Sequence, residues 1–221
     1  MEGSPSMPYP PSPWSLRGRM HVSVWAVPVA DVPALPPALD GAVRVLRVGR
    51  RAFVGTAWVD YRPGGDMAYR ELLSAVLTRA GWRPRVTITH IWVDSVASRD
   101  GGRELWGIPK DLADLTIPSV SGPASASTVD GPIASAVLPR GDGLPPRLPA
   151  RFRVVQALAG RAETTPVRST ARYGPARVVW TFAPEGPLRF LAGRRPLLSF
   201  VAGDFRMRFG APQRAAVESS G

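Results

Sequence analysis

Short apolar segments with β-branched or aromatic residues recur along this chain between proline or glycine breaks, and several of them alternate apolar and polar positions with a period of two. The clearest are Met20–Val29, Ala42–Val48, Ala52–Tyr61, Val86–Asp94, Pro132–Leu138, Arg151–Leu158, Arg177–Phe182 and Leu197–Phe209. In Val86–Val93 the side chains of Val86, Ile88, His90 and Trp92 share one face, and Thr87, Thr89, Ile91 and Val93 share the other. Many short strands joined by turns predict an antiparallel barrel or sandwich. Helical candidates are few: Asp94–Leu105, and a single turn at Pro187–Ala192. Tyr69–Arg79, with the sequence YRELLSAVLTR, fits a helix or a buried strand equally. Ala124–Thr128 and Gly141–Pro149 read as loops. Residues 1–13 read as an extended arm stiffened by proline, residues 14–210 as one domain without internal repeats, and residues 211–221 as a frayed tail.

Composition narrows the class. With 44% hydrophobic residues in 221, the chain is too apolar to be disordered and can bury a sizeable core. Its 25 prolines and 22 glycines exclude a helical bundle, because each interior proline costs a helix about 3 kcal/mol. The lack of cysteine excludes disulfides, thiolate metal sites and cysteine nucleophiles. A net charge of +11 raises the question of nucleic acid, but the arginines are scattered. The densest pairs are Arg50–Arg51 and Arg194–Arg195, and no zinc-finger spacing or aromatic RNA-binding motif accompanies them. A solvated basic surface without a nucleic-acid partner is therefore expected. No apolar run reaches the ~18 residues of a membrane span, and the first residues lack a secretory signal pattern. A cytoplasmic bacterial protein without a membrane partner is the expectation.

Several chemistries are missing from the pattern. There is no phosphate-binding G-x-x-x-x-G-K-[ST] loop, no dinucleotide fingerprint and no G-x-S-x-G elbow. The two histidines, His21 and His90, do not form a metal-ligand pair, so no metal site is predicted.

What remains is a lysine. Of the 28 basic residues, Lys110 alone is not arginine, and it ends the segment Gly102-Arg-Glu-Leu-Trp-Gly-Ile-Pro-Lys110. Arginine replaces lysine readily on a solvated surface but not in imine chemistry, because a guanidinium keeps its proton. A free lysine is neutral only about four times in 10⁴ at pH 7, and bringing its pKa to ~7 takes about 4.6 kcal/mol. Leu105, Trp106 and Ile108 supply apolar neighbours that would desolvate the ammonium and lower its pKa. A neutral amine can attack a ketone to form a Schiff base.

The chain here resembles the acetoacetate decarboxylase family. Gly102-Arg103-Glu104-Leu105 with Pro109-Lys110 is similar to that family's catalytic lysine segment. Tyr69-Arg70-Glu71 resembles its active-site glutamate segment, and Tyr9-Pro10…Pro13-Trp14…Arg19 resembles the N-terminal segment ending in its active-site arginine. The resemblance spans about residues 9–115. It implies a mainly β fold, an antiparallel barrel with a few short helices, in which Tyr69–Arg79 is a strand pairing with Val86–Asp94 through a turn at Gly81–Pro84. Two departures stand out: Asp111 takes the place of a second lysine, and Thr56 falls, by spacing, where a second glutamate is expected. Alternate strand residues face opposite ways, so Asp111 is expected to point away from the amine.

The resemblance also assigns roles. Lys110 forms the Schiff base, Glu71 moves protons, and Arg19 holds a substrate carboxylate or Glu71. Trp106, Ile108 and Tyr69 line the pocket, while Arg103 and Glu104 pair locally. No cofactor is implied. The partner is a small keto acid or ketone, and assembly with further copies is expected. The leading function is a Schiff-base lyase that decarboxylates a β-keto acid. The alternatives are an aldolase-dehydratase or cyclase using the same lysine, and a non-catalytic small-molecule binding barrel.

Overall fold

The computed structural model describes residues 8–212. Residues 1–7 of the expected arm and 213–221 of the expected tail lie outside the described residues. The strands are β1 (Trp14–Pro28), β2 (Arg44–Val45), β3 (Arg47–Val48), β4 (Arg51–Tyr61), β5 (Tyr69–Ala80), β6 (Arg83–Val93), β7 (Lys110–Leu112) and β8 (Asp114–Thr116). They continue with β9 (Gly122–Thr128), β10 (Gly131–Leu138), β11 (Leu144–Leu158), β12 (Arg161–Pro175), β13 (Val179–Phe182) and β14 (Leu198–Phe209). The α-helix, α1 (Val96–Trp106), lies where Asp94–Leu105 was expected, and Arg189–Leu191 forms a 3-10 turn. No helix among the described residues is long and apolar enough to cross a membrane.

Seven strands close a barrel in the order β5-β4-β1-β14-β12-β11-β6, with β6 returning to β5. The β6–β11 contact is parallel, and the other pairings around the ring are antiparallel. Tyr69–Arg79 is thus a strand, and it pairs with β6 as expected. The turn is tighter than Gly81–Pro84, because Arg83 and Pro84 already belong to β6 and only Gly81 and Trp82 make the corner. Gly81 takes the left-handed conformation such a corner requires (φ +58°).

A second sheet, ordered β13-β10-β9-β8, packs on the outside of the barrel. Two expected loops belong to strands. Ala124–Thr128 lies in β9, where Ala124 and Ala126 are buried against the barrel wall. Residues 144–149 open β11 despite their prolines. Strand β12 carries no apolar alternation in the sequence, because its first four residues are exposed and only Thr165, Val167 and Ala171 are buried.

Four of the wall strands, β1, β4, β5 and β6, therefore serve two interiors. On β1 the even-numbered Trp14, Leu16, Met20 and Val22 face into the barrel. The odd-numbered Trp25 and Val27 face the second sheet. There Trp180 stacks on Trp58 at 5.8 Å and on Phe182 at 5.3 Å, and Trp25 meets Phe182 edge-on at 5.4 Å. Trp25, Trp58 and Trp92 are core residues, whereas Trp82 stands exposed at the β5–β6 corner.

Candidate active site

The lysine segment folds around one helix end. The Ser95 side chain caps α1 by accepting from the Ser98 amide at 3.2 Å. Gly107 ends the helix in the left-handed region (φ +65°), with its amide donating to the Arg103 carbonyl at 3.0 Å. Any Cβ at Gly107 would stand 2.2 Å from the Ala157 carbonyl oxygen, so the turn needs glycine twice over. Ile108, Pro109 and Lys110 then run back beside the helix, and β7 joins β6 with Lys110 opposite Ile91.

The glycine pair on α1 makes room for what lies against it. A Cβ on Gly102 would stand 2.7 Å from Lys110 Cδ, and one on Gly101 would stand 2.6 Å from the Trp14 ring and 2.7 Å from the Tyr9 ring. The next two residues fasten the same region. Arg103 Nε donates to the Lys110 carbonyl, and Glu104 accepts from the Tyr9 hydroxyl at 2.5 Å. Tyr9, in the expected arm, is therefore buried against the helix.

Lys110 is 3% exposed and Glu71 is 2% exposed. Nζ lies 3.1 Å from Glu71 Oε2, and it donates to Ser98 Oγ at 2.8 Å and to the Tyr69 hydroxyl at 3.2 Å. Tyr61 donates to the other Glu71 oxygen at 3.2 Å. The aromatic faces of Tyr69 and Trp14 lie 4.9 and 5.7 Å from Nζ. Burial pulls the Lys110 pKa down, but the Glu71 charge, reinforced by Tyr69, more than offsets it and holds it above the ordinary value. This corrects the expectation that apolar neighbours alone would set the amine: Glu71 beside it favours its protonated form. Burial also raises Tyr61 and Tyr69, so both phenols keep their protons.

The structure brings Lys110, Glu71 and Tyr69 together and sets Trp106 and Ile108 in the same wall, with Trp106 edge-on to Trp14 at 4.7 Å. Arg19 does not join them. It points to the opposite face of β1, where its guanidinium donates to the carbonyls of Pro118, Ser119 and Val120. Its position in an alternating strand is the physical reason: residues facing the barrel there are even-numbered. Thr56 likewise turns outward, and its hydroxyl accepts from Trp25 Nε1 at 2.9 Å. The β4 residues that face Leu73 and Ala75 across the cavity are Ala57 and Gly55. Asp111 points away from the amine and lies 3.6 Å from Arg103. Ser98, Tyr61 and Trp14 were not anticipated as site residues. The i, i+3, i+4 spacing of Ser98, Gly101 and Gly102 marks one helix face and was the available signal for Ser98.

The amine opens on a cavity of about 410 Å³ inside the barrel. Its walls are mostly apolar, and Lys110 and Glu71 are the charged residues among them. The arginines lie elsewhere: Arg17, Arg151, Arg168, Arg206 and Arg208 line a separate recess of about 580 Å³. Among the described residues no cluster of three or more His, Asp or Glu side chains could hold a metal ion.

A mainly β barrel with a buried lysine–glutamate pair defines a class. Residues 6–138 match the family model for acetoacetate decarboxylase, and the chain belongs to that family. It is an enzyme of the acetoacetate decarboxylase-like type. The fold is shared with the acetoacetate decarboxylase of Legionella pneumophila (TM-score 0.64, 16% identity, 96% of this chain and 90% of that one). It is also shared with an acetoacetate decarboxylase-like enzyme from Sphingomonas wittichii RW1 (TM-score 0.61, 17% identity, 95% and 96%). A third similar structure is the enduracididine biosynthesis enzyme MppR, complexed with the condensation product of pyruvate and imidazole 4-carboxaldehyde (TM-score 0.58, 17% identity, 94% and 90%). No curated protein matches the sequence.

Proposed function

We propose that this chain is a Schiff-base-forming enzyme in which Lys110 condenses with the carbonyl of a keto acid or ketone. The observation that carries the proposal is the 3.1 Å contact between a buried amine and a buried carboxylate at the end of an apolar cavity. Glu71 takes a proton from the ammonium as the ketone enters, leaving a neutral amine. The amine adds to the carbonyl carbon to give a carbinolamine. Glu71 then returns its proton to the carbinolamine oxygen, water leaves, and a cationic iminium faces the Glu71 carboxylate again. Tyr61 and Ser98 hold the two ends of this relay, because one hydrogen-bonds to Glu71 and the other to Nζ.

The iminium is an electron sink. A β-carboxylate can leave as carbon dioxide, giving an enamine that is protonated on carbon and hydrolysed. Alternatively Glu71 removes an α-proton, and the enamine adds to a second carbonyl. The position of Arg19, with its donors on backbone carbonyls, favours this aldol-type branch, since no guanidinium among the described residues lines the cavity. The condensation product held by MppR is compatible with such a branch.

The test is reductive trapping. The protein is incubated with a ketone and cyanoborohydride, and its intact mass is measured. An adduct that maps to Lys110 and is lost in Lys110→Arg is the expected result, and an adduct that persists in that variant overturns the proposal. Carbon dioxide release then separates the two branches. Glu71→Gln removes the charge that raises the amine while burial still lowers it. The midpoint of trapping against pH should therefore fall by about one pH unit or more, with the relay slowed by about 10²-fold.

A further inference from the structure

The cavity is much larger than its reacting end requires. It holds about 410 Å³, the liquid volume of roughly a dozen waters. Its length follows from the strand register. Glu71 on β5 pairs with Val59 and Val93 beside Lys110, whereas Ala75 pairs with Gly55 and Ile88. Four residues at about 3.3 Å each put the Gly55–Ala75–Ile88 end roughly 13 Å from the carboxylate.

Between the two ends the walls are hydrocarbon: Met20, Val22, Leu73, Val86, Phe152 and Phe200 are among them. Burying a carboxylate or ammonium there would leave it unpaired, because the two charges present already face one another. Gly55 adds an independent sign. It sits mid-strand in β4, where a glycine weakens pairing and often marks a close approach by a ligand. Its φ is not in the left-handed region, and a Cβ placed on it would meet nothing within 4 Å. The absent side chain thus leaves space in the cavity and has no backbone reason.

We propose that the ligand of this cavity is a ketone whose substituent is a medium-length hydrocarbon chain, with its carbonyl at Lys110 and its chain laid past Leu73 toward Gly55, Ala75 and Val86. This rests on the Schiff-base reading for the carbonyl end and on cavity shape alone for the chain. Chain length then sets affinity, and small keto acids occupy only the reacting end.

The experiment compares methyl ethyl, methyl pentyl and methyl heptyl ketone with acetoacetate and pyruvate, each trapped on the full chain with cyanoborohydride. The ketone concentration for half-maximal Lys110 adduct is read from intact mass. A buried methylene is worth a factor of up to about four, so the five added from ethyl to heptyl should lower that concentration by about tenfold or more. The corresponding secondary alcohols, which cannot form an imine, are titrated by calorimetry and should show the same trend. In Gly55→Leu the ratio between the long and short ketones should collapse toward one.

Equal or better trapping of the small keto acids, a flat dependence on length, or a ratio unchanged in Gly55→Leu overturns the proposal. Length-dependent alcohol binding with no adduct from any ketone overturns the Schiff-base reading and leaves the chain site standing. Failure of both alcohol binding and trapping overturns both.

Discussion

The two faces of β1 look onto interiors built on opposite plans. The odd-numbered face meets the second sheet, where Trp25, Trp58, Trp180 and Phe182 fill the space, and the buried polar side chains of β1 on that face find partners. His21 Nε2 lies 3.1 Å from the Pro139 carbonyl, and Arg19 donates to three carbonyls. The even-numbered face meets a cavity, where Met20 and Val22 look across open space and the polar groups gather at one end. One interior supplies cohesion, the other room. A barrel open inside forfeits the dispersion contacts a filled core would make, and the outer layer offsets that loss.

Four substitutions can break this comparison. The largest effect on folding should come from Trp25→Ala, which removes an indole from the packed side and should cost about 3–5 kcal/mol. Leu73→Ala, on the cavity side, should cost about 1 kcal/mol or less, since that side chain already faces empty space. Urea denaturation of both variants measures the difference, and equal losses would mean that the cavity is filled in solution.

The next effect should be on chemistry with little change in stability. Gly102→Ala gains up to about 1 kcal/mol of helix propensity, yet its methyl would press on Lys110 Cδ. Imine trapping should slow by about ten- to a hundredfold as the amine shifts. An unchanged trapping rate with a folded protein would show that the lysine does not depend on this helix face.

The last effect should appear in acid. Burial brings His21 down to about 4 from the ordinary imidazole range, so it is neutral when folded at pH 7. A depressed folded pKa gives stability that is present above the unfolded value of ~6.5 and is lost as pH falls toward the folded one. His21→Gln should flatten part of the fall in melting temperature between pH 6.5 and about 4. A curve identical to the parent's would remove His21 from the account of the packed face.

Legibility in the sequence tracked the strength of alternation. Strands β4, β6, β10 and β14 bury one face against an apolar layer and read clearly. Strand β9 did not, because GPASAST buries only alanines, and β12 did not, because threonines and arginines cover its exposed side. The lysine segment was legible because helix cap, glycine seat and lysine lie within one short stretch. Arg19 was misplaced even though the alternation that sets Trp14 and Leu16 toward the cavity also turns Arg19 away. The cavity itself left no local signal beyond Gly55, since an empty volume is a property of seven strands closing together. The direction of the Lys110 shift needed the β5–β6–β7 register, which carries Glu71 to the amine from 39 positions earlier in the chain.

The single lysine has a practical consequence for covalent labelling. The one side-chain amine of this chain is sealed in the barrel beneath a helix. Acylating or crosslinking reagents that mark most proteins at many surface lysines find no such handle on its outer wall. A lysine-selective electrophile that does attach to a side chain has entered the barrel to reach it. The extent of labelling at that residue therefore counts occupied interiors, molecule by molecule.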